Sequence, residues 1–129
     1  CALDISDIAC AAPCGYGSAA MSICVAETDV MTLSLLVFYG SYRETRAGIR
    51  LADFCVRALT GRGHAVELID AKAVGLPMLD KRLSDYEPGT APKAMSDLAE
   101  KISKADGFVF VTGEYNSGLQ PGLKNLVDH

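Results

Sequence analysis

Leu33-Ser-Leu-Leu-Val-Phe-Tyr39 runs directly into Gly40-Ser41-Tyr42-Arg43, and the fold is decided at that junction. The first part is a short, nearly continuous apolar run, the pattern of a strand covered on both faces. The second is a small, hydroxyl-bearing loop that continues through Glu44-Thr45-Arg46-Ala47 to Gly48, where a helical pattern begins. The same grammar returns at Gly107-Phe-Val-Phe-Val-Thr112, followed by Glu114-Tyr115-Asn116-Ser117-Gly118 and then Pro121-Gly-Leu-Lys-Asn-Leu-Val-Asp128. In an open α/β sheet, loops leaving the carboxyl ends of neighbouring strands converge on one crevice at the topological switch point.

Alternating elements fill the interval. Gly48–Arg62 sets Ile49, Ala52, Val56 and Leu59 at helical spacing, and Gly61 and Gly63 supply the stop. Ala65–Asp70 reads as a second strand. Residues 71–92, with Gly75, Pro77, Pro88, Gly89 and Pro92, read as a long functional or interface connection. Lys93–Lys104 places Met95, Leu98, Ala99 and Ile102 on one face of a helix. Phe108–Thr112 is the third strand, and a third helix starts at Gly122. The order β-α-β-α-β-α calls for a parallel sheet with crossover helices. The expected fold is therefore α/β, a flavodoxin-like doubly wound parallel sheet in three layers, α/β/α. That fold has five strands, and the chain accounts for three, which implies a domain truncated after its third strand.

The chain has 129 residues, room for one domain. Half its residues are hydrophobic, which places it among globular proteins. Its formal charge of −4 is uneven: residues 1–30 carry Asp4, Asp7, Glu27 and Asp29 with no Lys or Arg, and residues 31–129 balance. No clustered basic surface points to nucleic acid. Residues 1–30 also hold Cys1, Cys10, Cys14 and Cys24, without the Cys/His spacing of a zinc site. They lack the basic start and unbroken apolar core of a secretory signal, and nothing is long enough to span a bilayer. The division expected is an extension over 1–30 and a flavin-type domain over 31–129, starting at Met31; the alternative is a redox or targeting role for the extension. Cys55 reads as an apolar filler within a helix, and the compartment as reducing and cytoplasmic.

The loop Gly40–Gly48 suits a phosphate. A helix start offers unpaired N–H groups, Ser41 and Thr45 offer hydroxyls, and Arg43 and Arg46 offer forked cations. Gly40 and Gly48 allow close backbone approach. There is no G-x-x-x-x-G-K-[ST], no G-x-G-x-x-G, and no cysteine nucleophile in the loop. An ordinary polar turn with solvated arginines fits the same residues. The second loop suits a flat heterocycle: Tyr115 offers a ring, Asn116 both donor and acceptor, and Gly118 and Gly122 offer space or unusual backbone angles. Lys124 and Asn125 stand where they could hold this loop, and a plain polar turn before a helix start assisted by Pro121 fits the same residues. A phosphate cradle beside a heterocycle loop reads as a site for flavin mononucleotide (FMN).

The segment Thr112–Asp128 resembles the signature of the NADPH-dependent FMN reductase family, whose pattern is Pro-Glu-Tyr-Asn, a variable stretch, Pro-Gly, Leu-Lys-Asn and Asp-Trp. Gly40-Ser41-Tyr42-Arg43 resembles that family's Gly-Ser-x-Arg phosphate loop, and Leu76-Pro77-Met78-Leu79-Asp80 its Leu-Pro segment. Gly113 replaces the usual Pro, and His129 stands at the place of the Trp. The resemblance implies a flavodoxin-like fold and transfer of hydride from NADPH, through FMN, to a quinone-like or other small acceptor. It implies Ser41, Arg43, Arg46 and Gly48 at the phosphate and Glu114, Tyr115, Asn116 and Ser117 along the ring system. It also implies a homodimer or homotetramer, with no membrane or nucleic-acid partner. No catalytic side chain or metal ligand is expected, because the flavin carries the chemistry; His64 and His129 do not read as catalytic. The alternatives are a flavodoxin-type electron carrier that does not oxidise NADPH, disfavoured by the balanced charge of 31–129, and a noncatalytic truncated remnant.

Overall fold

A computed structural model describes residues 31–129. The expectations for residues 1–30, including the cysteines Cys10 and Cys14, lie outside the described residues. Strand β1 (Ser34–Tyr39) is central, flanked by β2 (Ala65–Asp70) and β3 (Gly107–Val111), both parallel to it. The register sets Tyr39 beside Asp70 on one side and beside Val111 on the other, so the three strands end level. With helices on both faces, this is the flavodoxin-like α/β arrangement.

The alternation of β1 builds both layers. Leu36 and Phe38 point to one face and pack with Ile69, Leu76, Met95, Leu98, Leu123 and Leu126. Val37 and Tyr39 point to the other and pack with Ala52 and Val111. Helix α1 (Ile49–Thr60) covers the second face, with Cys55 half-buried against that cluster rather than fully enclosed. Helices α2 (Ala71–Val74), α3 (Lys93–Lys104) and α4 (Pro121–Asp128) cover the first. Burying one such aliphatic side chain contributes about 1.5–3 kcal/mol, so these two clusters hold the strand ends in place.

The boundaries differ from the sequence reading in informative places. Helix α1 ends in right-handed geometry at Gly61, and the chain reverses at Gly63 with φ 89°. The connection 71–92 is partly ordered. It contains α2, capped at its start by Asp70 and closed by Gly75 at φ 66°, and a 3-10 turn at Leu83–Asp85. His64 Nδ1 accepts from the Leu33 amide at 3.4 Å, a structural role at the amino ends of the strands. Asp106 locks the same end: its carboxylate accepts from the Ser34 amide, and its amide donates to the Ser34 carbonyl, both at 2.7 Å.

The second loop is a small antiparallel hairpin of β4 (Glu114–Tyr115) and β5 (Gly118–Leu119). Its two-residue turn places positive φ on Asn116 (49°) and Ser117 (61°), as primed hairpin turns require. The unusual backbone angles expected at Gly118 and Gly122 fall on these residues instead. Gly122 has a different reason to be glycine, given below. Along β3, Phe108 and Phe110 are exposed, with Phe110 stacked on Phe38 at 5.2 Å and Phe108 edge-on to it at 6.0 Å. No helix among the described residues is long and apolar enough to cross a membrane.

Candidate functional site

Both motif loops leave the same end of the sheet, and the structure joins them. The first loop leaves β1 at Gly40, whose backbone lies flat against the first turn of α4. A Cβ on Gly40 would stand 2.2 Å from the Leu123 amide nitrogen, and one on Gly122 would stand 2.4 Å from both the Gly40 carbonyl oxygen and the Tyr42 ring. Contacts that close exclude any side chain. The close approach read for Gly40 is thus an approach to α4, and Gly48 makes a similar one to the Tyr39 ring, its Cβ position 3.0 Å from the Tyr39 hydroxyl.

Side chains fix the rest of this loop. Tyr42 donates its hydroxyl to the Ala71 carbonyl at 2.9 Å. Arg46 forks onto Asp70, with both of its terminal nitrogens at 2.6 Å from carboxylate oxygens, and donates a further bond to the Ser41 carbonyl at 3.0 Å. The bond to Asp70 raises the Arg46 pKa, against the opposing pull of burial. Arg46, expected at the phosphate, is paired with Asp70 and braces the loop. Ser41 is buried, and its hydroxyl oxygen accepts from the Arg43 amide at 3.4 Å. At the loop's end, α1 begins at Gly48 with no side-chain cap and no acid in its first turn, leaving the positive end of its dipole uncompensated by its own residues.

Arg43 and Tyr115 connect the two motifs. The exposed Arg43 guanidinium lies 4.8 Å from the centre of the Tyr115 ring, a cation–π contact between the first loop and the hairpin. Glu114, Asn116 and Ser117 are exposed around the same hairpin, and Tyr115 is half-buried. Behind it, Gln120 is buried with Oε1 lacking any hydrogen-bond partner. Its amide nitrogen fills the space beside Gly113, where a Cβ would come within 3.1 Å. A buried, unpaired acceptor is costly unless something donates to it. The groups brought together are of the kinds an FMN would use: an arginine outside the Arg46–Asp70 pair, a hydroxyl, the positive end of a helix dipole and an aromatic face.

Sequence reasoning placed Lys124 and Asn125 at the hairpin, and neither acts there. Lys124 pairs with Asp128 on its own helix. Asn125 is buried and clamps the Leu-Pro segment, accepting from the Leu79 amide at 3.0 Å and donating to the Pro77 carbonyl at 2.7 Å. His129 Nε2 lies 3.0 Å from that same carbonyl. The pairing of Asp70 with Arg46 was not legible in the sequence. Its one sequence signal was position, an acid closing β2 level with the strand end from which the arginine loop departs.

Residues 33–129 match the family model described as NADPH-dependent FMN reductase. Among curated proteins, a quinone reductase of Escherichia coli K12 is 42% identical over 53 residues, covering 41% of this chain and 27% of that protein. An NAD(P)H-dependent FMN reductase of Schizosaccharomyces pombe is 33% identical over 107 residues, covering 77% of this chain and 51% of that protein. The chain spans about half the length, or less, of these curated relatives.

Proposed function

We propose, for a chain that belongs to the NADPH-dependent FMN reductase family, that residues 31–129 form the FMN-binding part of an NAD(P)H oxidoreductase acting on a quinone-like or other small electron acceptor. The observation that carries this reading is the meeting of the Ser41–Arg43 loop and the Glu114–Ser117 hairpin at one end of the sheet, joined by Arg43 and Tyr115.

Bound FMN would supply the exchange of hydride between NAD(P)H and the acceptor. The work left to the chain is binding and orientation. Arg43, the Ser41 hydroxyl and the backbone leading to Gly48 hold the phosphate through charge-assisted bonds. Glu114, Tyr115, Asn116 and Ser117 line the ring system. Arg46 serves this site from behind, as a brace. The family context supports a cytoplasmic protein that assembles as a homodimer or homotetramer.

The test is anaerobic addition of NADPH to the FMN-loaded full-length protein while the visible flavin absorbance is followed, then addition of a benzoquinone. Bleaching by NADPH and recovery with the quinone are expected. Tight FMN binding without bleaching would instead identify an electron carrier, and failure to bind FMN would identify a noncatalytic chain.

A further inference from the structure

We propose that Asp70 is a positioning residue for the phosphate-binding loop, acting through Arg46, so that the loop presents one free cation, Arg43, at a fixed place. The inference rests on the reading of Gly40–Gly48 as the phosphate cradle.

Asp70 closes β2 and is 9% exposed. Both of its oxygens are engaged by the Arg46 fork, and Oδ1 also accepts from the Lys72 amide at 3.1 Å. Arg46 lies 5.7 Å from the centre of the Tyr39 ring and reaches the Ser41 carbonyl. A continuous path therefore runs from the end of β2, through Asp70 and Arg46, to the backbone of Ser41. Ser41 in turn receives the amide of Arg43, so the path ends at the residue proposed to meet the phosphate. A second tie between the same two regions, Tyr42 to the Ala71 carbonyl, leaves the loop little freedom to shift.

The electrostatic consequence is as specific as the geometric one. A forked carboxylate at 2.6 Å neutralises Arg46, whereas Arg43 rests on an aromatic ring, which leaves its charge available. If Arg46 were itself a phosphate ligand, Asp70 would compete with the ligand for it, and removing the Asp70 charge would tighten binding. As a positioning residue, Asp70 does the opposite.

The experiment is fluorescence titration of FMN and of riboflavin, which lacks the phosphate, into the full-length protein and its Asp70→Asn, Arg46→Gln and Arg43→Ala variants. Asp70→Asn is expected to weaken FMN about tenfold, the size of one misplaced charge-assisted bond, with riboflavin changed by less than about twofold. Arg46→Gln, which leaves Asp70 its bond to the Lys72 amide, carries the same expectation, and Asp70→Ser, which also removes the charge that a directly bound Arg46 would be freed from, decides the matter if Asp70→Asn does not fold. Asp70→Glu, which keeps the charge, should recover part of the FMN affinity. Tighter FMN binding in Asp70→Asn, or equal losses for both flavins in the folded variants, would overturn the positioning role. If Arg43→Ala selectively loses FMN while Asp70→Asn and Arg46→Gln do not, the phosphate reading stands and this inference falls. If none of the three changes the ratio of the two affinities, the phosphate reading itself falls.

Discussion

The two loops that meet at Arg43 and Tyr115 are built in opposite ways. The first, Gly40–Gly48, has almost no regular structure of its own, and distant residues hold it: Asp70 through Arg46, Ala71 through Tyr42, and the backbone of α4 against Gly40. The hairpin Glu114–Leu119 is held by its own backbone pairing and a two-residue turn, and leans on the first loop through one ring. A phosphate needs donors fixed in advance, because each donor that must reorganise lowers affinity. A ring system lined by an exposed hairpin tolerates adjustment. The difference assigns rigidity to the anion end of the site and adaptability to the heterocycle end.

The largest effect expected is at the rigid loop. Gly40→Ala forces a methyl group against the Leu123 backbone, which cannot yield as a side chain would, and should cost on the order of 3 kcal/mol. Chemical denaturation of the full-length protein would measure it. A cost near zero would mean that α4 moves freely, and that the first loop is no more rigid than the hairpin.

At the hairpin the expected change has the opposite sign. Ser117 holds φ 61° without being glycine, a conformation costing an L-residue about 1 kcal/mol or more. Ser117→Gly should therefore raise the thermal midpoint, by roughly 1 kcal/mol in stability. A fall in the midpoint would show that the Ser117 side chain makes contacts that outweigh the backbone strain.

Coupling between the two loops should be smaller still. A double-mutant cycle of Arg43→Gln and Tyr115→Leu is expected to give about 0.5–1 kcal/mol, the value of an exposed cation–π contact. Strict additivity would separate the loops in solution.

The smallest effect lies away from both. The Arg82 side chain, hydrogen-bonded to Asp85, holds that carboxyl below its ordinary value of 3.8, and Lys104 does the same for Glu100 below 4.5. A depressed carboxylate pKa contributes stability that is present above the unfolded value and lost as pH falls through the folded one. Asp85→Asn and Glu100→Gln should thus lower stability slightly at neutral pH and converge with the parent as pH falls through the depressed folded values. Persistence of the difference in acid would point to lost packing rather than lost charge.

Much of this architecture was legible in the sequence, and for physical reasons. The apolar run of β1 is continuous because both its faces are covered, and the helical spacing of Ile49, Ala52 and Val56 fixed α1 within two residues at its ends. The hairpin was not legible as a hairpin, since strands of two residues leave no alternation to read. Its one cue was Asn116, a residue that enters the left-handed region more readily than most. Partners far apart in the chain were also hidden. Asn125 was placed beside the nearest loop, yet it clamps Leu79, 46 positions away. Spacing shows that Arg43 and Arg46 share a loop, whereas the parallel register that brings Asp70 alongside Arg46 exists only in the folded sheet.

The central claim is that the first loop is a phosphate cradle, and riboflavin against FMN tests it most directly. Calorimetric titration of both into the full-length, flavin-free protein compares ligands that differ only in the phosphate. The account requires FMN to bind at least about tenfold more tightly than riboflavin, with the advantage shrinking as salt is added. Equal affinities at low salt would contradict it.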